Sequence, residues 1–504
     1  MPDAAAVQTN FVSEPHLRRV LTLWDLIFYG IVLIQPIAPV PLYGVAQKLS
    51  NGHFVTIIFI AMFAMMITAF SYGRMAAVYP VAGSAYTYVG RGLNPHLGFL
   101  AGWAMILDYL LQPLINTVWI STALHERYVP RVPYAVWAAL IVSIVTLLNL
   151  RGIKSSARAN KVLLFFMFIV VGLFVGLAVY FLLRGQGAAG LLSTKPFYDP
   201  AHFDGQRIWM ATSFAALTYI GFDGVTTLSE DVENPKRNVL LAVVLTCLFA
   251  GLFSGLESYL GARVWPDWQT FPNLETAFMD ICRRVGGPFL FHAMAFIIIV
   301  AAFGSALTGG LGAARLLFGM GRDNVLPKRF FGYLSPSSNT PSYNLLLIGL
   351  LAFGGAVGLN YIGNAYEHAA ELLNFGAFLA FMGVNMATFW QFTAVRDSGQ
   401  KWWLLAGLLA CFGVCWWPLP SAVRVGAITA YVLVVVYLSV NKRRLLADTI
   451  LPLGGFVFCF LIWLNLNHVA KTVGFIWFVI GVIYVAVKTR GFRAAPVMID
   501  FSES

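Results

Sequence analysis

The sequence predicts an all-α polytopic membrane protein, and three observations carry that expectation. Of 504 residues, 59% are hydrophobic, enough for on the order of 14 or 15 crossings at about 20 apolar residues each. Only 11% are charged, against about 25% in an ordinary soluble chain. The apolar residues also gather into runs with short polar connections between them. A soluble enzyme, a disordered scaffold and a secreted disulfide protein are excluded. The net charge of +11 would raise nucleic acid as a partner of a soluble protein, but here it first suggests loops that orient a membrane chain.

Residues 1–20 are polar and lead into the first apolar run with no small-residue cleavage site, so a retained first helix is expected rather than a signal peptide. Runs follow at roughly 22–47, 54–73, 96–122, 133–150, 162–183, 208–228, 239–262, 288–314, 343–360, 368–392, 402–418, 422–440, 449–466 and 472–487. Each has the length and composition of a spanning helix. No connection is long enough to fold separately. The expected organisation is a tail at 1–20, a core at 21–392, C-terminal helices at 393–488 and a second tail at 489–504.

An even number of crossings puts both termini on one side. Of the 33 Lys and Arg, 22 fall on that side and 11 on the other, which predicts cytoplasmic termini in a cell membrane. The charge excess therefore lies in loops and gives no reason to invoke nucleic acid. Cys247, Cys282, Cys411, Cys415 and Cys459 show neither disulfide nor metal-ligand spacing, and the tryptophans, Trp103 and Trp477 among them, fall near span ends where interfacial belts are expected.

Two runs are interrupted. The first contains Pro36, Pro39 and Pro41, each of which removes a backbone donor. The sixth carries Gly221 and Gly224 around Asp223. Breaks at positions one and six are the sign of an inverted five-plus-five repeat with a substrate site between them; ordinary kinked helices are the bland alternative. A further repeat lies near the C-terminus, where Leu405, Gly407, Cys411, Phe412, Ala422, Val425, Gly426, Ile428 and Val434 recur 48 residues later as Leu453, Gly455, Cys459, Phe460, Ala470, Val473, Gly474, Ile476 and Val482. A duplicated hairpin would produce this pattern, as would chance likeness of apolar stretches.

The connections carry specific motifs: YPVAGSAYTYVGR at 79–91, LNLRGIKSSARANKV at 148–162, YIGFDGVTTLSEDVENPKRN at 219–238 and GAARLLFGMGRDNVLP at 312–327. In this order and spacing they resemble the amino acid, polyamine and organocation permeases. TYIGFDGVTTLSED and the first-run stretch FYGIVLIQPIAPVPLYG look most like the putrescine and amine importers of that superfamily. The resemblance implies a LeuT-type core, alternating access and uptake driven by an ion gradient, H+ before Na+. It places the first break near Leu33, Ile34, Gln35 and Pro36 and the second near Tyr219, Ile220, Gly221, Phe222 and Asp223, as substrate-binding positions.

Three departures matter. The first break lacks the second glycine that many amino acid permeases use to hold a carboxylate, which leans toward amines. Met167 stands where some proton-coupled relatives have a lysine. The hairpin at 402–440 is extra relative to a 12-helix relative.

A carboxylate inside a span costs several kcal/mol unless hydrated or paired, so each is a functional candidate. Asp108 in the third run, Asp223 at the sixth break and Glu257 in the outer half of the seventh qualify. No Lys or Arg sits at comparable depth, which makes a cationic substrate or a proton the natural partner. Burial disfavours the charged form of a carboxyl, which suits such a group to proton uptake and release; capping or a bond to a nearby hydroxyl would look the same in sequence. Ser305 and Thr308 could offer hydroxyl oxygens to Na+, or serve as small residues for packing. Tyr109 and Tyr219 lie beside candidate acids and could face an ammonium.

The expected function is a secondary transporter of amines or amino acids, with no cofactor and no metal. A membrane-embedded enzyme would need grouped nucleophile, base or zinc ligands, and the eight histidines fall in loops or near span ends. A nutrient sensor with a transporter fold stays open, because fold does not fix function.

Overall fold

A capping box begins the first crossing. Thr22 Oγ1 accepts the Asp25 N–H at 3.3 Å and Asp25 Oδ2 accepts the Thr22 N–H at 2.9 Å, satisfying two donors that a helix start leaves open. Helix α1 (Leu23–Ile34) runs to Gln35, whose φ of 72° lies in the left-handed region. Pro36 cannot continue the ladder, and Pro39 occupies the first turn of α2 (Pro39–Leu49), where its fixed φ fits. The two halves are bent by 54°. Leu33 and Ile34 are thus the last helical residues before the break, and Gln35–Ala38 form it.

The computed structural model describes residues 19–125, 129–274, 276–360, 365–392, 446–466 and 468–493, with isolated positions 406, 407, 410, 426 and 430. After the broken pair come α3 (Phe54–Val78), α4 (Ser84–Gly92), α5 (Pro95–Ala123), α6 (Tyr134–Leu150), α7 (Ile153–Gln186) and the short α8 (Ala188–Leu191). Among the described residues, nine helices are long and apolar enough to cross a bilayer, and the bent pair makes a tenth.

The sixth crossing is interrupted where Gly221 and Gly224 were read as a break. Helix α9 (Gly205–Ala215) passes into a 3-10 turn at Ala216–Tyr219, an extended Ile220, Gly221 with φ 113°, and a second 3-10 stretch at Phe222–Leu228. The cause is local: Gly221 takes a φ that side chains rarely tolerate, and a Cβ on Gly224 would stand 2.4 Å from Leu33 Cδ2. The two breaks therefore pack against each other, the arrangement of a LeuT-type inverted repeat.

Helix α10 (Pro235–Val264) follows, then α11 (Ala277–Arg322), interrupted at Gly287 (φ 63°) ahead of Pro288. Helix α11 outlasts the run read at 288–314. Arg315 and Arg322, read from sequence as loop cations, lie on this helix and are buried. The reason is compensation: each pairs with an acid of the connection after the sixth crossing, Arg315 with Asp231 at 3.2 Å and Arg322 with Glu230 at 2.9 Å.

The chain continues through α12 (Lys328–Phe331), α13 (Ser342–Leu359), α14 (Ala365–Phe392), α15 (Leu451–Leu464) and α16 (His468–Lys488). Helix α15 packs on α14 and α3, and α16 on α14 and α5. Trp103 and Trp477, expected at lipid interfaces, instead stack at 4.6 Å, each indole N–H donating to the other's carbonyl at 2.9 and 2.8 Å. Nearly all of the hairpin at 402–440, with Leu405, Cys411, Phe412, Ala422, Val425, Ile428 and Val434 of the repeat, lies outside the described residues.

Candidate functional site

Asp223 is placed by the unwound sixth segment. It follows Gly221 by two residues, is 0% exposed, and its Oδ2 accepts the Tyr109 hydroxyl of α5. Its Oδ1 has no partner among the described residues. Asp108 precedes Tyr109 on α5, is 1% exposed, and has neither oxygen partnered among the described residues. None of the ion pairs among the described residues involves either acid. Two carboxyl groups are thus held in a medium that penalises their charged forms.

An aromatic wall stands beside them. Tyr72 of α3 meets Phe222 and Phe381 of α14 edge-on, each at 5.6 Å, and Phe222 meets Phe381 at 5.0 Å. The Tyr72 hydroxyl is buried without a partner among the described residues. Phe222 was legible as part of the break. Nothing in sequence marks Tyr72 or Phe381, which reach the site only through helix packing.

The first break is held by a polar network. Ser305 Oγ of α11 donates to the Leu33 carbonyl at 3.1 Å, an acceptor that the end of α1 leaves open. Gln112 Nε2 and Asn116 Nδ2 both donate to Ser305 Oγ, at 3.1 and 3.3 Å, and Gln35 Nε2 donates to Asn116 Oδ1 at 3.3 Å. Sequence reading missed Gln112 and Asn116, although they follow Asp108 at intervals of four along one helical face.

Both hydroxyls considered for Na+ donate to backbone carbonyls, which leaves the lone pairs of Thr308 Oγ1 open. Thr308 Oγ1 donates to the Gly304 carbonyl at 2.8 Å, and the Tyr29 hydroxyl of α1 donates to the Thr308 carbonyl at 2.7 Å. Met167 is buried against Gly304 at this seam. Tyr219 does not turn toward Asp223: its hydroxyl donates to the Ile58 carbonyl at 2.9 Å. Ile34, Pro36 and Ile220 sit at the breaks, with Ile34 and Ile220 buried in the core. Glu257 lies apart on α10, 0% exposed, with both oxygens and the neighbouring Ser254 and Ser258 hydroxyls unpartnered among the described residues.

Toward the N-terminal side the site is sealed. Ser84 Oγ and Thr226 Oγ1 lie 2.8 Å apart, Ala82 N–H donates to Glu230 at 2.8 Å, and the Tyr86 hydroxyl donates to Asp323 at 2.8 Å. Val20 and Leu21 N–H both donate to the Asp231 carbonyl, and Glu233 N–H to the Leu21 carbonyl.

The sequence profile of the amino acid permease family matches residues 21–485. The chain belongs to that family. The permease is accordingly a multi-pass membrane protein. It is 32% identical to the low-affinity putrescine importer PlaP of Escherichia coli strain K12, over 96% of this chain and 97% of the importer. It is 28% identical to the methylthioribose transporter of Bacillus subtilis strain 168, over 74% and 80% of the two chains. It is 23% identical to the branched-chain amino acid permease BcaP of Lactococcus lactis, over 95% and 96%. Their names give three different cargoes, so the choice among them rests on the site.

Proposed function

We propose that the permease imports a small primary amine by alternating access, driven by a proton gradient, with Asp223 exchanging between amine and proton. One observation carries this reading: Asp223 and Asp108 are both buried, joined through Tyr109, which follows Asp108 and bonds Asp223, and no cation is paired to either among the described residues. An ammonium supplies the missing charge, and the faces of Tyr72, Phe222 and Phe381 suit it by cation–π attraction. The likeness to a putrescine importer supports the amine over the zwitterion. So does the first break, where Pro36 offers no N–H to a carboxylate.

A proton is favoured over Na+ because a hard cation needs free oxygen ligands. The Leu33 and Thr308 carbonyls each accept one hydrogen bond, from Ser305 and Tyr29, and Ser305 Oγ accepts two, so few lone pairs at this seam stay open. Glu257 is the second proton-carrying group in this scheme. The N-terminal side is taken as cytoplasmic from the Lys and Arg distribution, which makes the ends of α2 and α10 the outer face.

The test is uptake by purified protein in liposomes, with labelled putrescine, spermidine and a panel of amino acids under imposed pH and Na+ gradients. Putrescine uptake should rise when the outside is acidified and stay unchanged when choline replaces Na+. Asp223→Asn should abolish uptake while the protein stays monodisperse. Wild-type uptake by that variant ends the assignment, and uptake of neutral amino acids alone ends the amine reading.

A further inference from the structure

On the face opposite the N-terminus, the ends of α2 and α10 and the loops carrying Asp199 and Trp268 enclose a cavity of about 360 Å³, within the usual range of about 300–1,000 Å³ for small-molecule sites. It is separate from the carboxylates described above. Its loops are fixed: the Asp199 N–H donates to His53 Nε2 at 3.0 Å, and Asn51 Nδ2 donates to the His202 carbonyl at 3.3 Å.

The lining combines two acids, Asp199 and Asp267, with two cations and a buried amide acceptor. Gln47 is 2% exposed; its Nε2 donates to the Tyr43 hydroxyl at 3.0 Å, while its Oε1 is left without a partner among the described residues. A buried orphan acceptor is costly unless something donates to it. Asp199 accepts from His202 Nδ1 and the Ala201 N–H, both at 3.1 Å, and the His202 bond holds its carboxyl below the usual range, so it stays charged. Asp267 Oδ1 accepts the Gln269 N–H at 3.1 Å and so begins the turn that presents Trp268. The indole can lie over Gly52 because that residue has φ 87° and no Cβ, which would meet the ring at 2.8 Å. Lys195 and Arg263 also line the cavity; Arg263 Nε donates to the Gly190 carbonyl at 2.9 Å.

We infer that this cavity is a second, outer binding site for a small solute bearing a primary ammonium, which donates to Gln47 Oε1 and the Asp199 and Asp267 carboxylates with the Trp268 face beside it. Ammonium groups are matched by acceptors and aromatic faces together. The inference rests on the amine reading above and adds a place where substrate gathers before it enters.

Equilibrium binding of labelled putrescine to the full chain in nanodiscs tests it, using Asp223→Asn to disable the central site. One saturable site should remain in that variant. Adding Gln47→Leu or the surface change Asp267→Asn should weaken it by about tenfold, one charge-assisted hydrogen bond. Gln47→Glu should strengthen it by a similar factor, and Trp268 fluorescence should respond to putrescine in a way lost in Trp268→Phe. If wild type binds putrescine and Asp223→Asn does not, the outer site is overturned and the amine reading stands. If wild type binds none, both fall. Weaker binding by Gln47→Glu also overturns the site, since an ammonium must gain from the added charge.

Discussion

The Tyr109 hydroxyl donates to Asp223 Oδ2, and this bond joins α5 to the unwound sixth segment at a fully buried carboxyl group. It occupies one carboxyl oxygen and leaves the other without a partner among the described residues.

Tyr109→Phe removes the hydroxyl and keeps the ring. A hydrogen bond to a charged group contributes about 1.5–3 kcal/mol, so uptake should fall by about 10- to 100-fold in Vmax/KM. Transport kinetics in liposomes check this; a change below twofold would show that the bond does not position Asp223.

Gly224→Ala should impair both stability and uptake, because the new methyl meets Leu33 Cδ2 at 2.4 Å. Overpacking of this kind costs about 1–3 kcal/mol. Leu33→Ala in the same chain should recover part of the loss. A thermal-unfolding double-mutant cycle reads the coupling, and strict additivity would contradict the packing of the two breaks.

Arg315→Met leaves the Asp231 carboxylate buried with its partner gone, a change that costs about 3–5 kcal/mol. The variant should melt at lower temperature, and a cysteine placed at Ser84 should become easier to label from the N-terminal side. Combining Arg315→Met with Asp231→Leu should restore part of the melting temperature, since the lone charge is then removed.

Ser305→Ala deprives the Leu33 carbonyl of its donor, Gln112 Nε2 of its acceptor and Asn116 Nδ2 of one of two. Unsatisfied buried groups cost about 1–3 kcal/mol each, so uptake should drop while remaining insensitive to Na+. Na+ stimulation of the wild type that disappears in this variant would reverse the choice of coupling ion.

The breaks were legible because proline and glycine act on their own backbone, and Asp108, Asp223 and Glu257 because a charge stands out in an apolar run. The Gln112 and Asn116 stripe was legible in principle, being written in a four-residue spacing on one helix. Tyr72 and Phe381 were not: with 20 Tyr and 41 Phe in the chain, only the packing of α3 against α14 selects these two. Arg315 and Arg322 were misread for a different reason. A cation ends a hydropathy run even where the helix continues, and the acids that neutralise them lie over 80 residues away along the chain.

The three backbone hydrogen bonds between residues 20–21 and 231–233 tie the start of the first crossing to the end of the sixth without using a side chain. Substitution cannot easily tune such a strap, but separation of the two crossings must break it. If the proposed transport cycle parts these crossings, an environment-sensitive dye on a cysteine at Val20 would report each parting as an optical signal, turning the strap into a built-in gauge for a single transporter.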